Sequence, residues 1–143
     1  MTIRFLMLGK TRRPEMRALF EDYAARIARY AKVELTEWRP AGSSARRKPL
    51  AEPGAVIVLL DAAGRQFTSP EFARWVAGLR DRGARELVFL CGGAEGFPPE
   101  IRALAKQAIS LSPMTLPHEL ARVVLAEQIY RAFAILAGHP YPR

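Results

Sequence analysis

Ser110-Leu-Ser-Pro-Met-Thr-Leu-Pro-His118-Glu-Leu-Ala-Arg122 is the stretch of this chain that decides its fold. A short apolar strand over residues 108–111 leads into a loop with two prolines, and a long helix follows. Each proline removes a backbone donor and biases the residue before it towards extended geometry. The loop is therefore stiff and non-helical. Its free N–H and C=O groups need partners, and a bound ligand is one candidate.

The helix after this loop is predicted to have a cap at Thr115 and to end at Gly138. Apolar residues cover most of its surface. Glu127 and Arg131 form a favourable pair one turn apart, and Arg122 lies nearly opposite them. A helix that is apolar nearly all round is buried on more than one side. We expect one side to meet the chain's own sheet and the other a second subunit; a central core helix in a monomer is the alternative.

Strands and helices alternate along the rest of the chain. Apolar runs predict strands at residues 3–8, 33–38, 55–60, 87–91 and 108–111. Further helices are predicted from Pro14, from a capping box at Thr68 and Glu71, and from Pro99 to about Gln107. This alternation is typical of an α/β fold with a mostly parallel sheet of about five strands and flanking helices. The length of 143 residues predicts a single domain over residues 1–143.

The net charge of +8 is unevenly distributed. Residues 1–50 contain 12 Lys and Arg against 5 Asp and Glu, whereas residues 51–143 contain 10 against 9. A basic excess in one part of a chain is typical of a face that binds a polyanion, and simple solubility charge is the alternative. The loop over residues 39–54 has three prolines and four basic residues. It is either a solvated linker or an arm that touches RNA.

Several protein classes are disfavoured by the sequence. No apolar run approaches the roughly 18 residues that a membrane span needs, and the N-terminus lacks the layout of a signal peptide. The single Cys91 cannot form an internal disulfide, and we expect it to be an unreactive residue packed in the core. No cluster of Cys and His residues has the spacing of a zinc site. These features favour a cytoplasmic protein without a structural metal and without a membrane partner.

Three loops leave the ends of predicted strands, after Leu60, after Cys91 and after Leu111. Ligands of parallel α/β sheets bind beyond the carboxyl ends of the strands, so these loops mark the expected binding rim. The glycines in Gly92-Gly93-Ala-Glu95-Gly96 match neither the dinucleotide fingerprint nor a P-loop, but they allow close backbone approach to a ligand. Tight-turn glycines explain the same pattern.

Three side chains are candidates for chemistry on this rim. His118, at a helix start, is either a general base or substrate contact, or a capping or packing histidine. Arg122, one turn further along, is a candidate for phosphate or base recognition. Tyr141 lies in a tail of the kind that usually frays, or it stacks on a ligand. No Ser/His/Asp or Cys/His set supports hydrolysis through a covalent nucleophile.

Together these motifs resemble a known family. They are Leu60-Asp61, Gly92-Gly93-x-Glu95-Gly96, Leu111-Ser-x-Met114-Thr115-x-Pro117-His118-x-Leu-x-Arg122, Glu127-Gln-x-Tyr130-Arg131-Ala and His139-Pro-Tyr141. Over essentially its whole length, the chain resembles the large-subunit (23S) ribosomal RNA pseudouridine N3-methyltransferase family. This family belongs to the SPOUT class of S-adenosylmethionine-dependent methyltransferases.

The resemblance implies a C-terminal trefoil knot, a homodimer, and methylation of N3 of a pseudouridine in large-subunit RNA of the assembled ribosome. It implies cofactor contacts at Leu60, Gly92, Leu111, Ser112, Pro113, Met114, Thr115 and Leu116. His118, Arg122 and Tyr141 are then the expected catalytic residues, with Arg122 in electrostatic positioning. We expect loss of Arg122 to abolish transfer and to leave cofactor affinity nearly intact.

Other classes remain open from the sequence. One is a methyltransferase of the same fold that acts on transfer RNA, and another is a non-catalytic protein that binds RNA or ribosomes. A flavin or nucleotide carrier lacks its phosphate loop here. The chain also departs from the family, because Pro142 stands where a His is usual and the segment after Trp38 looks shorter.

Overall fold

The computed structural model describes residues 1–38 and 53–141, in which strands and helices alternate. The strands are β1 (Thr2–Leu8), β2 (Lys32–Trp38), β3 (Ala55–Gln66), β4 (Glu86–Cys91) and β5 (Gln107–Ser110). The helices are α1 (Pro14–Ile27), α2 (Ser69–Asp81), α3 (Pro99–Arg102) and α4 (His118–Leu136). The strands pair in parallel in the order β2-β1-β4-β3-β5. The predicted five-stranded parallel α/β sheet is confirmed.

Two predicted boundaries are wrong. Helix α3 ends at Arg102 instead of near Gln107, because the chain must turn and become extended to enter β5. Strand β3 continues beyond Leu60 to Gln66, because residues 65 and 66 also pair with β5. The predictions for the basic loop fall mostly on residues 39–52, and the one for Pro142 falls on residues 142–143. Both segments lie outside the described residues.

Both faces of the central strands are buried. In β1, Ile3, Phe5 and Met7 point to one face, and Leu6 and Leu8 point to the other, as the period of two in a strand requires. The first face packs against α1, α2 and α4, and the second carries a smaller apolar cluster that includes residues of α3. Because both faces are buried, the central strands have continuous apolar sequences instead of alternating apolar and polar residues.

Helix α4 packs against both α1 and α2 on the first face of the sheet. Ten of its residues are buried. The predicted burial on more than one side is confirmed, and α1 and α2 of the same chain supply much of the cover. The burial of α4 therefore does not by itself require a second subunit.

The helix ends follow the local sequence with one exception. The capping box is confirmed, since Thr68 N–H donates to Glu71 at 2.7 Å and Glu71 N–H donates to Thr68 Oγ1 at 3.2 Å. The predicted cap at Thr115 is wrong, because α4 begins only after Pro117 and has no side-chain capping hydrogen bond. Gly138, with φ +70°, follows the end of α4 as predicted.

Within residues 1–38 and 53–141, no helix combines the length and the apolar character needed to cross a membrane. In the same residues, no group of three or more His, Cys, Asp and Glu side chains could hold a metal ion.

Strand β3 passes very close to the backbone of β5 at Gly64. Leu60 and Arg65 are both in register with Ile109, so the residues between them form an irregularity in the ladder. A Cβ atom on Gly64 would lie 2.6 Å from the carbonyl carbon of Ala108 and 2.7 Å from the backbone N and C atoms of Ile109. Backbone atoms cannot rotate away as a side chain can, so this crossing requires glycine.

We expect Gly64→Ala to lower the free energy of unfolding by about 2 kcal/mol or more, as overpacking against immobile atoms does. Urea denaturation measures this. The matched control is Gly78→Ala in α2, where a Cβ would meet the flexible end of Arg82 at 3.3 Å. Alanine is the better helix former by about 1 kcal/mol, so this control should be as stable as the parent protein or more stable. A Gly64→Ala variant as stable as the control would contradict the close crossing.

Candidate functional site

A cavity of about 210 Å³ lies beside the carboxyl ends of β4 and β5. Its walls are residues 60–62 of β3, residues 91–93, 96 and 97 after β4, residues 111, 112 and 114–116 after β5, and side chains of α3 and α4. The segments after Cys91 and Leu111 meet at this cavity because parallel strands place their carboxyl ends on one edge of the sheet. The segment after Leu60 also reaches the cavity, but from within β3, so the predicted strand end at Leu60 is wrong.

Most of the predicted cofactor contacts line this cavity. They are Leu60, Gly92, Leu111, Ser112, Met114, Thr115 and Leu116. Pro113 is not among the lining residues. The loop is braced by its own side chains: Ser110 Oγ donates to the Ser112 carbonyl at 3.0 Å, and Ser112 Oγ accepts Met114 N–H at 2.9 Å. Whether these residues touch a cofactor stays a prediction.

The glycine wall of the cavity has no room for a side chain at Gly93 and little room for one at Gly92. A Cβ on Gly93 would lie 2.9 Å from the Leu8 carbonyl oxygen, and a Cβ on Gly92 would lie 3.3 Å from the ring of Phe97. The peptide groups of these glycines therefore form the wall directly, and a ligand can approach the backbone closely.

An ion pair joins two sides of the cavity. The Arg102 guanidinium donates to the Asp61 carboxylate, which also accepts Ala63 N–H at 3.2 Å. The hydrogen bond from Arg102 lowers the pKa of Asp61 below its usual value, so this carboxylate is ionised at neutral pH. The Arg102 guanidinium also lies 5.9 Å from the centre of the Phe97 ring. The pair holds α3 against the residues that follow Leu60.

Arg122 lies beneath the cavity and is only 1% exposed. Its guanidinium donates to the carbonyls of Leu8 at 2.8 Å, Gly9 at 3.3 Å and Gly92 at 3.2 Å, and to Thr11 Oγ1 at 3.0 Å. Burial lowers the pKa of Arg122, yet an arginine side chain in a protein keeps its charge. Direct recognition of phosphate or base by Arg122, as predicted, does not fit this placement. Its Nη donors are engaged within the chain, and they tie β1 to the Gly92 wall.

His118 lines the cavity at the start of α4, and its side chain is 37% exposed. Its Nε2 atom is 3.9 Å from Glu119 Oε2. The Glu119 carboxylate accepts the N–H groups of Arg12 at 2.7 Å and Arg13 at 3.1 Å, and these bonds lower its pKa below the usual value. Glu119 was not among the site residues predicted from the sequence. An acidic residue in the first turn of α4, beside a candidate histidine, was the available signal.

Tyr141 packs against the C-terminal half of α4, whereas His118 is the first residue of this helix. Its hydroxyl donates to Glu127 Oε2 at 2.6 Å, and its ring centre is 4.7 Å from that of Tyr130. Burial, together with the bond to Glu127, raises the pKa of Tyr141. Glu127 also bonds Arg131 at 2.6 Å, which confirms the predicted pair. The rise of α4 from His118 to Glu127 and Tyr130, which Tyr141 contacts, is roughly 14–18 Å, so one protomer does not bring the three candidate catalytic residues together.

Cys91 lines the cavity but is only 1% exposed. Burial raises the pKa of its thiol to about 12, so the reactive thiolate is scarce at neutral pH. This environment fits the predicted packing role.

Comparison with known proteins assigns the chain to a family. A family model described as "Predicted SPOUT methyltransferase" matches residues 1–142. The chain belongs to the SPOUT methyltransferase family. The cavity described above is lined by the residues at which the resemblance implies cofactor contacts, apart from Pro113.

Curated relatives match over nearly their full lengths. "Ribosomal RNA large subunit methyltransferase H" of Solibacter usitatus is 45% identical and covers 100% of both chains. The proteins of that name from Geotalea daltonii and Geobacter sulfurreducens are each 42% identical, with 99% of both chains covered. The structure of a probable methylase family protein from Haemophilus influenzae has a TM-score of 0.61 at 9% identity. The match covers 95% of this chain and 66% of the Haemophilus influenzae chain. At this identity it shows the fold alone.

S-adenosylmethionine is the methyl donor of SPOUT methyltransferases, and the residues at the cavity fit this cofactor. A nucleoside needs apolar contact together with a few well-placed polar groups. Leu60, Leu111 and Leu116 supply the apolar contact, and the Gly92 and Gly93 wall supplies backbone groups. The fit depends on the Gly92 peptide staying where Arg122 holds it.

We expect Arg122→Ala to lower the free energy of unfolding by roughly 3 kcal/mol, because buried acceptors lose their donor. We also expect weaker S-adenosylmethionine binding, because the Gly92 wall loses its anchor. This differs from the expectation drawn from sequence, in which cofactor affinity was spared. Urea denaturation and calorimetric titration measure the two effects, and Arg80→Ala, on the exposed end of α2, is the control. A folded Arg122→Ala protein with unchanged cofactor affinity would contradict the anchoring role.

Proposed function

We propose that this protein methylates N3 of a pseudouridine in large-subunit (23S) ribosomal RNA of the assembled ribosome, in the cytoplasm, with S-adenosylmethionine as methyl donor. The observation that carries the proposal is full-length similarity, at 42–45% identity, to relatives named Ribosomal RNA large subunit methyltransferase H. The cavity residues that fit the cofactor support it.

The reaction requires orientation and removal of one proton. S-adenosylmethionine supplies an electrophilic methyl group on a sulfonium. The N3 nitrogen of the base must lose its proton so that a lone pair forms the new N–C bond as the C–S bond breaks. The protein holds the base in line with the methyl group and accepts that proton.

His118 is the proton acceptor in this proposal. It lines the cavity, and an imidazole accepts a proton near neutral pH. The carboxylate of Glu119 lies 3.9 Å from the His118 Nε2 atom. Arg122 acts as a positioning residue. It holds the Gly92 wall, and its buried charge favours the deprotonated form of a base bound above it.

Tyr141 enters the same site only from a second protomer. Within one chain Tyr141 is held at Glu127 and Tyr130, roughly 14–18 Å along α4 from His118, which is too far for both side chains to touch one base. We therefore propose a homodimer in which the tail of one protomer reaches the cavity of its partner. Tyr141 would then stack on the base or close over it, as the resemblance suggests.

The C-terminal trefoil knot is part of the same proposal. The family implies it, and two features of the sheet support it. Strand β5 lies outside β3 at the edge of the sheet, and β3 crosses the β5 backbone tightly at Gly64.

The proposed function is tested by offering labelled S-adenosylmethionine and the protein to intact ribosomes, isolated large subunits and bulk transfer RNA from a strain that lacks the enzyme. We expect N3-methylpseudouridine, identified by mass spectrometry, in the RNA of intact ribosomes alone. Label in transfer RNA would show that the substrate is transfer RNA and contradict the proposed ribosomal RNA substrate. No label and no cofactor binding would favour a non-catalytic protein that binds RNA.

Subunit mixing tests whether the site is shared. We expect His118→Ala and Tyr141→Ala each to slow methyl transfer at least about 100-fold, as loss of a proton acceptor or a positioned base contact does. Co-expression of the two variants gives mixed dimers with one intact site, and activity should recover to about a quarter of wild type in a statistical mixture. Mixed dimers that stay inactive would contradict the shared site.

A further inference from the structure

The loop between β1 and α1 carries three cationic side chains that the proposed mechanism does not use. Lys10, Arg12 and Arg13 are all exposed, whereas Thr11 between them is buried. We call residues 10–13 the basic β1–α1 loop. It begins just after β1, whose last residue, Leu8, abuts the Gly93 wall of the cavity.

Two carboxylates hold the backbone of this loop. Glu119 accepts the N–H groups of Arg12 at 2.7 Å and Arg13 at 3.1 Å. Glu37 accepts Thr11 N–H at 3.0 Å. Three consecutive amides are therefore fixed by side chains from α4 and β2, and Glu119 is only 8% exposed.

Two arginines complete the hold on Thr11. Arg122 donates to Thr11 Oγ1 at 3.0 Å, and Arg17 donates to the Thr11 carbonyl at 2.7 Å and to Glu37 at 3.3 Å. The loop is thus anchored to the same guanidinium that holds the cavity wall at Gly92. Its position relative to the cavity is determined by direct contacts.

The carboxylates around the loop bond to its amides and leave its cations available. Within the described part of the chain, the side chains of Lys10 and Arg12 have no hydrogen-bond or ion-pair partner. Arg13 has one contact, 3.6 Å from Glu15, and both side chains are 68% exposed, so this pair is weak. A rigid backbone with free cations is suited to a polyanion, because little ordering is needed on binding.

We propose that Lys10, Arg12 and Arg13 bind backbone phosphates of the RNA strand that presents the target nucleotide to the cavity. The identity of this RNA rests on the proposed function. The loop has no aromatic side chain on which a base could stack. Its contacts therefore position the strand and carry no sequence readout.

The test uses the double variant Lys10→Ala/Arg12→Ala in the full-length protein. Alanine keeps the backbone N–H of residue 12, so its bond to Glu119 and the fold are retained. We expect KM for ribosomes to rise about tenfold or more at ~0.1 M salt, with the slope of log affinity against log salt reduced by about 1 to 2. The kcat value and the S-adenosylmethionine affinity should stay within about twofold of wild type, because neither residue lines the cavity.

Two variants control for net charge and for structure. Lys32→Ala/Arg80→Ala removes the same charges at the opposite edge of the sheet, where β2 begins and α2 ends, and should bind ribosomes like wild type. The variant Lys10→Arg/Arg12→Lys keeps both positive charges. Its affinity for ribosomes should therefore equal that of the wild type. Ribosome affinity of the loop double variant equal to that of the Lys32→Ala/Arg80→Ala control overturns the proposal.

Direct binding separates this proposal from the proposed function. If the wild-type protein binds ribosomes without methylating them, the proposed function is contradicted. A loss of ribosome affinity in the Lys10→Ala/Arg12→Ala variant would still support the phosphate contacts. Loss of affinity for ribosomes with full affinity for protein-free large-subunit RNA would assign the loop to a ribosomal protein and overturn it. Wild-type protein that binds neither would overturn both.

Discussion

The buried guanidinium of Arg122 is the interaction on which the site depends. A charge inside a protein is costly unless it is well hydrogen-bonded, and here carbonyls from β1 and from Gly92, with the Thr11 hydroxyl, surround it. Gly92 lines the cavity and Thr11 belongs to the basic β1–α1 loop. One side chain therefore couples the surface that fits the cofactor to the surface proposed to hold RNA.

The start of α4 makes the second coupling. Pro117 delays the helix until His118, so His118 and Glu119 occupy its first turn. The two neighbours have different environments: His118 lines the cavity, and Glu119 binds the amides of the basic loop. A carboxylate is also favourable at a helix N-terminus. The start of α4 at His118 thus explains why Thr115 does not cap the helix and why the proposed proton acceptor lies beside an ionised carboxylate.

Much of the site could be predicted because it follows from local patterns. Parallel strands gather their carboxyl ends on one edge, so the segments after Cys91 and Leu111 had to meet. Leu60 joins them from within β3. Their residues do line one cavity, with Pro113 as the exception. The buried position of Arg122 could not be predicted from local patterns. Helical spacing separated it from the Glu127–Arg131 pair, but spacing carries no information on which neighbouring element covers a side chain.

The sequence by itself determined the five strands, their parallel arrangement, the edge at which the cavity lies and the family, because apolar periodicity and clustered motifs are local properties. Tertiary structure alone decided the partners of Arg122, which come from residues 30 to 114 positions away. It also decided the crossing at Gly64 and the separation of Tyr141 from His118. These features depend on which backbone atoms meet when distant segments pack. No local pattern encodes that, because hydrogen-bond partners and steric limits exist only in the assembled fold.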